Sequence, residues 1–169
     1  VTARALSKYL THSGKNVITL HLDDYFKLPP AKNHEKRLAD FEWIGPNEVR
    51  LDLLQKHIDC IAKKQKSTLE IPRMNWTTDK EESELVSTIK CDIILIEGTY
   101  SLMLERLDIA IFMEHSYLDT LENRLFRNRE PLSEFSQKVL EREHEIIKKQ
   151  KLKADIIINK NYTVSKNTH

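Results

Sequence analysis

Four short, almost uninterrupted apolar runs constrain this chain most: "NVITLHL" at 16–22, "DIILI" at 92–96, "IAIFM" at 109–113 and "DIII" at 155–158. Each is rich in β-branched residues and too short for a buried helix, so each reads as a strand. Apart from Thr19 and His21 in the first, none is interrupted by polar residues, as a strand with one wet face is. Continuous apolar character marks strands covered on both sides. Helical spacings fall between them: Ala3, Leu6 and Leu10 in "VTARALSKYL", then Val49, Leu53, Leu54, Ile58 and Ile61 after Pro46. A basic helix is expected over Leu118–Arg129, and Phe135, Val139, Ile146 and Ile147 mark another. Helices alternating with buried strands define an α/β fold with a parallel sheet and helices on both faces.

A length of 169 residues suits one domain, 1–169, because a chain of that size buries ~70% of its unfolded surface. The polar, proline-containing stretch 23–46 reads as a long loop, and loops of that length are usually functional. Residues 67–89 carry two β-like runs, Thr68–Ile71 and Leu85–Ile89, around a polar tip, the pattern of a hairpin excursion. The polar tail "NYTVSKNTH" is expected to fray. A formal net charge of +1, mixed in sign, provides no electrostatic footprint for nucleic acid or an acidic membrane. No run approaches the ~20 apolar residues of a membrane span. Cys60 and Cys91 lie far apart in apolar contexts and read as reduced thiols of a cytoplasmic protein.

In open α/β sheets, ligands bind beyond the carboxyl ends of the strands. Asp23, with Asp24 beside it, directly follows the first apolar run, and Glu97 directly follows the second. Singly, each suits a turn or a helix cap. Together at one sheet edge they make a polar site, in which one carboxylate can hold a metal while another accepts a hydroxyl proton. Arg124, Arg127 and Arg129 end the basic helix before Pro131. That placement suits the helix dipole, and arginine also clamps phosphate oxygens. Glu143-His144-Glu145 lacks the second histidine of a zinc-binding His-Glu-x-x-His motif.

The segments "VITLHLDDYFK", "IILIEGTYSL", "IAIFMEHSYLDTLENRLFRNRE" and "ADIII" occur in an order and spacing that resembles the uridine kinase/phosphoribulokinase family of P-loop kinases. The resemblance covers nearly the whole chain and is closest to bacterial uridine kinase-like proteins. It implies a three-layer P-loop NTPase-like parallel sheet with helices on both faces, a small β-hairpin excursion and a short lid over 124–134. It further implies ATP-dependent transfer of the γ-phosphate to a hydroxyl of a nucleoside (uridine- or cytidine-like) or a related small metabolite, with Mg²⁺. Asp23 would be the base and Glu97 the Mg²⁺ acid, acting through bound water. Arg129, with Arg124 and Arg127, would close on the phosphates. Tyr25, Phe26, Glu42 and Trp76 would contact the acceptor: Phe26 against the nucleoside, Glu42 at the ribose hydroxyls and Trp76 as an aromatic wall. The implied partner is this small molecule, with no nucleic acid or membrane partner and self-association left open.

Two departures qualify the resemblance. Met74 and Asp79 stand where nucleoside-specific uridine kinases tend to carry a Tyr and a His, and a thioether cannot supply the lost hydrogen bond. Pyrimidine recognition is therefore expected to be loosened or redirected. The second departure is the phosphate loop: none of Gly14, Gly45 and Gly98 belongs to a Gly-x-x-x-x-Gly-Lys-Ser/Thr segment. The helix at "VTARALSKYL" starts without a clear cap or an initiating Met, so the strand and loop of the donor side are expected upstream of Val1. The alternative is a non-catalytic ligand-binding or regulatory member of the same fold.

Overall fold

The structure, a computed structural model, describes residues 1–119 and 133–167. The chain divides into two compact units, Val1–Ser101 and Leu102–His169.

In the first unit, α1 (Thr2–His12) leads through Gly14, at φ +81°, into β1 (Val17–His21). β1 pairs in parallel with β4 (Ile93–Glu97), in a register that sets Val17 opposite Ile93 and His21 opposite Glu97. The Asp92 carboxylate fastens the start of this ladder by accepting from the Asn16 backbone N–H at 2.8 Å and its side-chain amide at 3.0 Å. α1 packs on β1 and β4, while α3 (Leu51–Ala62) packs on β4 and buries Leu54, Ile58 and Ile61. The hairpin is present: β2 (Thr68–Asn75) and β3 (Lys80–Ser87) pair antiparallel, Thr68 opposite Ser87 and Asn75 opposite Lys80.

The stretch 23–46 is not the long loop its composition suggests. It folds as a 3-10 turn at Leu22–Tyr25, helix α2 (Pro30–Ala39) and a 3-10 turn at Phe41–Trp43. α2 buries only Asn33, so polar bonds rather than an apolar stripe hold it in place. The Glu48 carboxylate is fully buried and accepts from Arg37 Nε, from Arg37 Nη2 at 2.9 Å, from Asn33 Nδ2 at 3.0 Å and from the Gly45 N–H at 3.2 Å. Trp43 Nε1 donates to Asn33 Oδ1 at 2.9 Å, which extends the network. The helix expected to open at Pro46 begins instead at Leu51, because Val49 is extended and bridges Phe26. Arg50 N–H donates to the Tyr25 carbonyl and Lys27 N–H to the Glu48 carbonyl, closing that bridge.

In the second unit, β5 (Ile111–Glu114) pairs in parallel with β6 (Ile156–Asn159), following α4 (Glu134–Ile147). Ser133 caps α4 by accepting from the Ser136 N–H at 3.0 Å. Leu102, Ala110, Phe112 and Ala154 form the core, with Leu107 and Ile147 against it. The tail does not fray as expected: β7 (Val164–Lys166) adds antiparallel to β6. Asn167 Nδ2 secures it by donating to the Lys151 and Ala154 carbonyls. The parallel pairing expected of the four apolar runs is thus present as two pairs. Among the described residues, no helix is long and apolar enough to cross a membrane.

Candidate active site

Asp23 lies in the 3-10 turn that follows β1, and its side chain is exposed. Glu97 ends β4. The parallel register sets His21 opposite Glu97, so Asp23 and Glu97 stand at the carboxyl end of the same strand pair, the edge read from the sequence. His21 Nδ1–H donates to Glu97 Oε1 at 2.6 Å. That bond raises the His21 pKa against the opposing effect of burial, and charge from Glu97 and Asp24 adds to it. Immediately beyond Glu97 the backbone passes close to Leu22. Gly98 sits at φ +144°, and a Cβ there would come within 2.3 Å of Leu22 Cβ. Glycine is required at this position.

Asp24 binds the hairpin. Its Oδ2 accepts from Arg73 Nη1 at 2.8 Å and its Oδ1 from the Met74 N–H at 3.0 Å. Arg73 also donates through Nε to Glu84 on β3 at 2.7 Å. Burial would lower the Arg73 pKa, but the bonds from Glu84 and Asp24 hold it above its ordinary value. At the tip, Trp76 is 41% exposed and meets Phe26 edge-to-face, with ring centroids 6.3 Å apart. Asp79 accepts from the Ala31 N–H of α2 at 2.8 Å, and Arg50 joins Glu81 of β3 to the Phe26 carbonyl. The hairpin is therefore tied to the segment after β1 by three sets of polar bonds and by the Phe26–Trp76 ring contact.

Of the other residues read from the sequence, Glu42 lies exposed in the 3-10 turn Phe41–Trp43, where its N–H donates to Asp40 Oδ1. The structure places Tyr25 in the core rather than at an open surface. Its side chain is wholly buried and its hydroxyl meets His57 Nδ1 at 2.9 Å. Burial raises the tyrosine pKa and lowers that of His57, so the pair is neutral. Arg124, Arg127 and Arg129 lie outside the described residues, as does most of the lid region 124–134. His21 and Arg73 are the site neighbours that sequence reasoning missed, and Asp24 was named only for its place beside Asp23. In the sequence, the polar position of His21 within the apolar run of β1, two residues before Asp23, was the signal that could have found it.

The fold is mixed α/β, with parallel strand pairs and helices, and solved structures of kinase-like proteins share it. Two solved structures are similar in particular. One is a possible uridine kinase from Bacillus stearothermophilus, 22% identical, with a TM-score of 0.56, 92% of this chain covered and 78% of that one. The other is a protein described as a fructose transport system kinase from Silicibacter sp. TM1040, 17% identical, with a TM-score of 0.60 and coverages of 86% and 77%. Among curated proteins, the bifunctional alpha-galactosidase/sucrose kinase AgaSK of Mediterraneibacter gnavus is 27% identical over 175 residues, which takes in 96% of this chain. The chain spans 19% of the length of that relative. No family model matches the chain.

Proposed function

We propose that this chain belongs to an ATP-dependent kinase that phosphorylates a hydroxyl of a small metabolite. The carrying observation is the placement of Asp23 and Glu97 at one carboxyl edge of the β1–β4 pair. In the proposed step, Asp23 accepts the proton of the attacking hydroxyl as its oxygen bonds to the γ-phosphorus and the bond to the β-phosphate oxygen breaks, releasing ADP. Among the described residues, no group of three or more His, Cys, Asp or Glu side chains could hold a metal on its own. Mg²⁺ takes one or two carboxylates, waters and substrate phosphates rather than an all-protein cage. Glu97 is the residue that would hold it. The ion would supply charge neutralisation, while His21 fixes the Glu97 carboxylate. Arg124, Arg127 and Arg129 are the proposed phosphate clamps of the lid, and cytoplasmic location and a single domain remain part of this reading.

Two acceptor classes fit the hydroxyl chemistry, a uridine- or cytidine-like nucleoside and a free sugar. Met74 and Asp79 favour the sugar. Met74 is only 6% exposed and its N–H is committed to Asp24, while an Asp79 oxygen is committed to Ala31. Neither position is arranged to read a pyrimidine edge, whereas an exposed Trp76 ring can stack on the C–H face of a sugar. Relatives named for sucrose and fructose agree with this preference. Phosphate transfer from ATP, measured in the full-length protein over a panel of nucleosides and sugars, tests it. Turnover with sugars above that with uridine and cytidine is expected. Tight, Mg²⁺-dependent ATP binding with no transfer to any acceptor would favour a non-catalytic ligand-binding member instead.

A further inference from the structure

We propose that Asp24 is a positioning residue that sets the aromatic wall of the acceptor site against the segment carrying Asp23. Its side chain is 13% exposed, and both carboxylate oxygens are committed to β2, one to Arg73 Nη1 and one to the Met74 backbone N–H. Asp24 is the neighbour of Asp23, and Arg73 and Met74 lie just before Trp76. One carboxylate thereby links the proposed base to the strand that presents the wall. A charge-assisted bond to a guanidinium combined with a bond to a backbone N–H fixes both direction and distance, because the second partner cannot rotate away. Arg73 is in turn braced by Glu84, so the link reaches both strands of the hairpin. The other ties described above, Asp79 to Ala31, Arg50 to Glu81 and the Phe26 carbonyl, and the Phe26–Trp76 ring contact, reach residues further along than Asp24.

The kinetic arm of the test rests on the kinase reading; the optical arm does not. Trp76 has one companion tryptophan in the chain, Trp43, so Trp43→Phe leaves Trp76 as the reporter of the wall. In that background, Asp24→Ala and Arg73→Met are each expected to shift Trp76 emission to the red and to increase its quenching by acrylamide. Asp24→Asn, which keeps an oxygen for the Met74 N–H, is expected to do so less. In the full-length protein, the KM for the acceptor is expected to rise about tenfold or more in both strong variants, since displacement by an ångström costs this much or more in alignment. The KM for ATP is expected to stay within about twofold of wild type, because uniform loss of a fold would move both constants together. Unchanged Trp76 quenching in Asp24→Ala and Arg73→Met overturns the inference, as does a parallel rise of both KM values with a fall in Tm. If the wild-type protein phosphorylates no acceptor, the kinase reading has failed and the quenching of Trp76 decides this inference alone.

Discussion

Replacing Glu48 with Gln removes one oxygen and the charge from the network that holds α2 in place. In the wild-type protein the carboxylate receives four N–H donors, two from Arg37, one from Asn33 and one from the Gly45 backbone. Glutamine leaves a single carbonyl oxygen to share among them and turns an NH₂ group toward one or more of those donors. Arg37 is 13% exposed, so its charge has little water to turn to. Breaking one side of a buried pair of this kind costs about 3–5 kcal/mol. For a chain of this size each kcal/mol shifts Tm by roughly 2–4 °C, so a fall of the order of 10 °C is expected. Thermal unfolding followed by circular dichroism measures it, with urea unfolding as the check on free energy. The double variant Glu48→Gln/Arg37→Met removes the stranded charge and is expected to recover part of the loss, so the two changes are non-additive. A single variant within about 1 kcal/mol of wild type would overturn this expectation, because it would mean that the carboxylate carries no net share of the network.

Other outcomes follow from the same geometry. Gly98→Ala places a Cβ within 2.3 Å of Leu22 Cβ at a φ that L residues rarely adopt, so a loss of about 2–5 kcal/mol in unfolding free energy is expected; wild-type stability would refute the close approach. The raised His21 pKa means that its bond to Glu97 stabilises the fold fully below pH 6.5 and that this share is lost as pH rises through the raised value. With both side chains nearly half exposed, the share is at most about 1 kcal/mol, and the gap between wild type and His21→Gln should close on going alkaline. His57 runs the other way. Its lowered pKa gives stability that is present above pH 6.5 and lost as pH falls below it, so His57→Gln should flatten the acid limb of stability against pH.

The strands were legible because each run is β-branched and nearly continuous in apolar character, although most of their residues are only half-buried, and the hairpin because its two runs flank a polar tip. Helix α2 was not legible. It buries an asparagine rather than an apolar stripe, and its anchor, Glu48, lies nine residues beyond its end. Strand β7 escaped for a related reason: its three residues are exposed, and side-chain amides of Asn159 and Asn167 hold its ends. At the candidate site, Asp23 and Glu97 were legible because an acid just past an apolar run lands at the sheet edge whatever the details of packing. The direction of Tyr25 was not, since a 3-10 turn sends successive side chains to different sides, and only the buried His57 partner shows which way it points. The same turn leaves Asp23 exposed and bonds Asp24 to the hairpin.

The account turns on Asp23. Transfer of the γ-phosphate from ATP to an accepted sugar or nucleoside, measured in the full-length protein and in Asp23→Asn, tests it most directly. A loss of roughly 10²–10⁴-fold in kcat is expected, the usual contribution of a positioned general base, with ATP binding retained. Transfer by Asp23→Asn at the wild-type rate would contradict the account.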